Sequence, residues 1–206
     1  MPFTNYGLDN YFAQGISELS ECNAPDLAEH FAEVADLIHN FILNSIFIFP
    51  IKTEEKPYIF GIIRRVQMAL VEYQNGRTLL LLFLTESKKN TSLYFQALSH
   101  FEIAVTQLYQ AYDFWRKLGI KIESKETNLF EKGDGSSHEK LNRLSNISKH
   151  LEPSTIPEGN LHHVWISNNG ICASGVTMSF TELADLVKEY VALANAFSNQ
   201  NQDSIP

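Results

Sequence analysis

Residues 91–118 read TSLYFQALSHFEIAVTQLYQAYDFWRKL. Tyr94, Ala97, Phe101, Ala104, Val105, Leu108, Tyr112 and Trp115 recur there by threes and fours, with Ala104 and Val105 adjacent. At 3.6 residues per turn these positions fall on one stripe, so the stretch predicts a long helix with one buried face. Gly119 stands where a C′ glycine belongs and is expected to end it.

The same periodicity extends outward from this helix. On its N-terminal side a helix is expected from about Tyr58 to Ser87, with Ile62, Val66, Ala69, Leu70 and Tyr73 buried in its first half and Leu80, Phe83 and Leu84 in its second. Asn75-Gly76 marks a kink or break in it. Pro25 suits the first turn of an earlier helix, whose stripe is Leu27, Phe31, Val34, Ile38, Phe41, Ile42 and Ile46 and which Pro50 ends. Residues 8–22 read as a short helix burying Phe12, Ile16 and Leu19, and Lys52–Pro57 as a charged loop. On the C-terminal side, Lys121–Lys132 is charge-rich and Gly133-Asp134-Gly135-Ser136-Ser137 has loop composition. A helix from about His138 to Leu151 follows, and Pro153 and Pro157 forbid its continuation. Residues 161–174 read as a β-hairpin turning at Asn169-Gly170, a pair that tolerates the positive φ of a type I′ turn. Ser179-Phe180-Thr181-Glu182 is a capping box. It opens a last helix that buries Leu183, Leu186, Val187, Tyr190, Leu193, Ala194 and Phe197, before a polar, frayed tail at 198–206. The expected fold is all-α: one domain over residues 1–206, a bundle of four to five main helices with one small hairpin before the last.

Composition narrows the function. The chain has 206 residues, 44% hydrophobic and 12% aromatic, enough for a sizeable core. A formal net charge of -8 argues against nonspecific coating of DNA, which needs concentrated Lys and Arg. Cys22 and Cys172 are far apart and form no CxxC pair, so small buried hydrophobes in a reduced, cytoplasmic protein are expected. The apolar runs Phe41–Ile51 and Leu79–Leu84 fall short of the ~20 residues a bilayer requires. The first residues lack a signal-peptide pattern. No P-loop, GxGxxG or GxSxG occurs. Asp36 and His39 form a lone pair without the second copy a di-iron bundle needs, and His162 and His163 point to opposite faces of a strand. Neither a metal nor a cofactor is expected. Arg64-Arg65 and Lys88-Lys89 read as solvated surface.

The chemistry concentrates on residues 138–151. Leu141, Leu144, Ile147 and Leu151 make an apolar face, and Glu139, Arg143, Asn146 and His150 line up beside it. Arg143 and His150 have six residues between them, nearly two helical turns, so they share a stripe. Arg143 offers a fork of donors to a phosphate, and His150 can take or give a proton near pH 7. Together they suit metal-free RNA cleavage: the histidine takes the 2′-hydroxyl proton while the arginine steadies charge building on the phosphate. Asn146 and Glu139 are supporting residues. A structural reading stands beside this one. Glu139 and Arg143 form a favourable i,i+4 pair, and His150 sits where a helix C-terminus stabilises a cation.

The segment resembles the HEPN superfamily (higher eukaryotes and prokaryotes nucleotide-binding), all-α bundles whose signature is Arg, four to six residues, then His on a late helix. Arg143 and His150 match it with six intervening residues. The preceding long amphipathic helices and the closing helix match its context. The resemblance implies a homodimer with motif helices adjacent, so that both copies of Arg143 and His150 build one composite site. It implies a metal-independent endoribonuclease acting on RNA or binding a nucleotide, toxin-like or defence-associated and paired with an antitoxin-like protein. Leu144 stands where catalytic members carry a polar residue. That departure favours the alternative of a non-catalytic dimerisation or nucleotide-, nucleic-acid- or protein-binding module.

Overall fold

In the computed structural model the stripe of residues 91–118 becomes one side of a long antiparallel helical hairpin. Residues 7, 9–10, 13–47, 51–86, 90–123, 128–149 and 163–199 are described. Five main helices are α1 (Leu37–Phe47), α2 (Lys56–Thr85), α3 (Thr91–Glu123), α4 (Ser137–Lys149) and α5 (Phe180–Asn199). Between α4 and α5 lies an antiparallel sheet of β1 (Val164–Ser167), β2 (Gly170–Ala173) and β3 (Val176–Ser179), in that order. The all-α expectation therefore holds in outline, with a three-stranded sheet in place of one hairpin. Among the described residues no helix is long and apolar enough to cross a membrane.

The hairpin of α2 and α3 is held along its length by aromatic side chains. Tyr73 meets Phe101 edge-on with centroids 5.8 Å apart, and Tyr58 meets Phe114 at 6.4 Å. Asn75-Gly76 breaks nothing, because α2 runs unbroken through it. Gly76 is instead a contact point. A Cβ there would lie 3.1 Å from the Phe101 ring and 3.2 Å from the carbonyl oxygen of Ala97. Gly119 likewise does not end α3, which continues to Glu123. The close approach of helices, a tertiary demand, explains the first glycine better than local turn propensity does. Arg65 bridges the pair by donating from Nη1 to Gln107 Oε1 at 2.8 Å rather than facing water, whereas Arg64 is exposed.

The single helix expected after Pro25 is divided. A 3-10 turn, Ala28–His30, runs into one α-turn, Phe31–Val34, and α1 begins afresh at Leu37. The carbonyl of Val34 accepts a bond from Gln67 Nε2 on α2 at 2.5 Å, which fixes the division point against the bundle. The division rotates the stripe. Leu37 and Phe41 are buried, but Ile42 and Ile46 are 45% and 63% exposed. Of the helix expected over 8–22, residues 9 and 10 are helical, but residues 13–27 are a docked strap with turns at 14–18 and with Ile16, Leu19, Ala24 and Leu27 buried. Tyr73 Oη donates to Pro25 O, and Arg77 Nε donates to Ala24 O while its Nη1 pairs with Asp26. Phe12, Pro50 and Lys88-Lys89 lie outside the described residues.

The sheet turns one residue earlier than Asn169-Gly170 predicts. Ser167 pairs with Gly170, so the loop is Asn168-Asn169. Gly170 is needed for space: a Cβ on it would fall 2.1 Å from the carbonyl oxygen of Met178 on β3. β3 closes through a second two-residue loop, Ser174-Gly175, with Gly175 at φ +70. Val176 and Met178 are buried and Thr177 exposed, the alternation of a strand with one face on the core. Tyr94 of α3 reaches this sheet, its Oη accepting the N–H of Ile166 at 2.9 Å.

The expected capping box opens α5. Glu182 N–H donates to Ser179 Oγ at 3.1 Å, and Ser179 N–H donates back to Glu182 at 2.8 Å. All seven residues of the expected α5 stripe are buried. Ser198 is no frayed residue: it is buried, donates from Oγ to Leu37 O at 2.5 Å, and accepts Asn44 Nδ2–H on its carbonyl at 2.8 Å. Residues 200–206 lie outside the described ones.

Candidate functional site

The helix of interest, α4, starts from a cap. Ser136 Oγ accepts the N–H of Glu139 at 3.2 Å. The Glu139 carboxylate turns back over the preceding loop and accepts N–H bonds from Gly133 (2.6 Å) and Gly135 (2.8 Å). Glu139 is thus buried and committed to ordering residues 133–136. The Ser136-x-x-Glu139 spacing that signals this cap is present in the sequence, yet the wheel alone assigned Glu139 to the Arg143 stripe.

Arg143 and Asn146 face outward. Arg143 is exposed, and its Nη2 lies 3.3 Å from the position a Cβ would take on Gly175. The guanidinium therefore leans over the Ser174-Gly175 turn. The acids around it are engaged elsewhere: Glu139 with its loop, and Glu182 with Lys140 Nζ at 2.5 Å and with the α5 cap. Burial alone would raise the Glu182 carboxyl, but the Lys140 and Ser179 hydrogen bonds hold it below its ordinary value. Asn146 is exposed and donates from Nδ2 to Asn142 Oδ1 at 3.2 Å. Leu144 is in the core, 2% exposed. His150 lies outside the described residues, as do Leu151, Pro153, Pro157 and His162. Of the four stripe residues, the described part places Arg143 and Asn146 on the solvent side and turns Glu139 away from both.

The last turn of α4 is fastened to α3. Ser148 Oγ donates to Glu102 Oε1 at 2.9 Å, and Lys149 Nζ sits 4.6 Å from the centre of the Tyr109 ring. Beside this junction is a shallow cleft of about 290 Å³, lined by Ser99, Glu102, Ile103, Thr106, Gln107 and Ser148. Among the described residues of its lining the single charged group is the Glu102 carboxylate, which disfavours an anion.

A second cluster, not singled out by the sequence reading, lies at the other end of α4. The His138 ring sits between Tyr112 and Tyr190, with centroids 6.2 and 6.0 Å away, and Trp115 meets Tyr190 edge-on at 6.2 Å. His138 Nε2 and Tyr190 Oη are buried and have no hydrogen-bond partner among the described residues. Burial pulls the His138 pKa below its ordinary value, opposed by the Glu189 and Asp134 carboxylates. Glu189 Oε1 stands 3.9 Å from Nε2. Burial also raises the Tyr190 hydroxyl well above its usual range.

Among the described residues no group of three or more His, Cys, Asp or Glu side chains converges as metal ligands would. Cys22 and Cys172 are free thiols, and burial pushes the Cys22 thiol up. No protein-family model, curated protein or solved structure matches the chain.

Proposed function

We propose that this protein is a HEPN-like helical module that works by binding, with a second copy of itself as its first partner, and that it does not cleave RNA. One observation carries the reading: in α4 the position after Arg143 is a core leucine, and the carboxylate one turn before it, Glu139, is spent on its own loop. Metal-free RNA cleavage needs polar groups that orient the base and share the phosphate charge, and among the described residues of its stripe Arg143 has beside it the neutral amide of Asn146, already bonded to Asn142. The two free thiols support a reducing, cytoplasmic setting.

The deciding experiment is incubation of single-stranded RNA with purified protein in EDTA, alongside Arg143→Ala and His150→Ala. No cleavage above buffer is expected from any of the three. Cleavage by the native chain that either substitution abolishes would restore the reading of an endoribonuclease, toxin-like and held by an antitoxin-like partner.

A further inference from the structure

Where the docked strap meets the sheet there is a cavity of about 190 Å³. Its walls come from opposite ends of the chain. Gln14, Glu18 and Leu19 lie on one side, and Trp165, Ser167 and Asn168 on the other. Strand alternation explains the indole. Val164 and Ile166 are buried against the bundle, so Trp165 between them projects from the opposite face and is half-buried at the cavity. The two walls are held in register by the sheet's first turn. Asn168 Oδ1 accepts the N–H groups of Ser20 and Glu21 at 3.0 and 3.3 Å, and Asn23 Nδ2 donates to Asn169 Oδ1 at 3.0 Å. Asn168 is therefore spent on the scaffold, and Ser167 Oγ is turned to Gly170 O. Of the described lining this leaves the Trp165 indole, the Glu18 carboxylate and the Gln14 amide.

We propose that this cavity binds an alkylammonium group, its methylenes against Trp165 and Leu19 and its charge shared by the Trp165 π-face and the Glu18 carboxylate. An indole face attracts a cation through the ring quadrupole, and a carboxylate beside it adds direct charge pairing. Anions are disfavoured, because the described residues of the lining include no Lys, Arg or His. A divalent metal is poorly served by one carboxylate. The volume falls below the 300–1,000 Å³ of ordinary small-molecule sites, roughly the room for one short aliphatic amine rather than a nucleotide. A free amine and a lysine side chain of another protein share this chemistry.

The test is amide chemical-shift mapping of the full chain, titrated with n-butylammonium, with n-butanol, and with the tripeptide Gly-Lys-Gly blocked at both ends. Saturable shifts confined to residues 14–19 and 165–168 are expected from butylammonium and not from butanol. Glu18→Gln should weaken the interaction by roughly tenfold while the rest of the spectrum stays in place. Trp165→Leu, which keeps apolar bulk and loses the π-face, should weaken it as well. Tighter binding of the peptide than of butylammonium assigns the natural ligand to a protein lysine, and the reverse order assigns it to a free amine. Equal shifts from butanol, an unchanged affinity in Glu18→Gln, or shifts centred elsewhere overturn the proposal.

Discussion

His138 shows how one side chain can make a folded protein sensitive to pH. In the unfolded chain it binds its proton near 6.5, whereas burial between Tyr112 and Tyr190 lowers that value in the folded state. Between the two values the unfolded chain holds more protons than the folded one, so stability rises with pH there and falls as pH drops through about 6.5. The contribution of His138 is isolated by comparing the native chain with His138→Phe in urea unfolding at pH 5.5 and 7.5. The native protein should lose more stability on acidification than the variant, and equal losses would show that the proton is carried elsewhere. Gly76 makes the second residue-scale case. Gly76→Ala should cost about 1–3 kcal/mol in the same assay, because the added methyl would stand 3.1 Å from the Phe101 ring and 3.2 Å from a backbone carbonyl oxygen. The sequence could not announce this. Asn75-Gly76 carries a strong local turn signal, and only the position of α3 shows that the glycine serves close approach.

At the scale of elements, what was legible was what is local. The amphipathic periods of α2, α3 and α5 and the Ser179–Glu182 cap depend on residues within a few turns of one another, and all appear as read. Replacing Ser179 with Ala should therefore lower stability by ~0.5–2 kcal/mol, read as a drop in the thermal midpoint with the far-UV helical signal retained at low temperature. Elements shaped by distant partners were read less well. The division before α1 coincides with a bond from Gln67, more than thirty residues away in sequence. β3 has only four residues, too few for alternation to stand out, and the hairpin turn moved because Gly170 must pass beneath Met178. The stripe of Glu139, Arg143 and Asn146 shares this limit. A wheel gives the angle at which Glu139 leaves the helix, but not that its carboxylate folds back to Gly133 and Gly135.

For the whole molecule, one hydrophobic cluster runs from Ala13 to Phe197, so the strap, the five helices and the sheet share a single core. Outside that core, large apolar side chains are exposed both along the hairpin, at Met68, Val71, Leu82 and Ile103, and in α1 and at the hairpin's open end. Ile42, Leu43 and Ile46 of α1 are exposed, as is Phe60 of α2, whose ring stands 6.4 Å from Phe41. Ile120 and Ile122 end α3 at the same end of the hairpin, since Gly61 packs on Phe114. Self-association should therefore be measurable: sedimentation equilibrium at tens of micromolar is expected to give twice the 23.4 kDa of one chain. A mass of one chain across that range would remove the second copy from the proposed function. The strap itself has a further consequence. It is joined to the sheet across about 146–148 residues of sequence, largely through asparagine amides rather than a helix or strand ladder. A ligand wedged between strap and sheet binds only while the strap is docked, so it must act as a clasp. Occupancy there and amide protection of residues 14–23 are then two readings of a single equilibrium. The tighter the clasp, the slower those amides exchange, and a strap that spends time undocked weakens every ligand by its docked fraction.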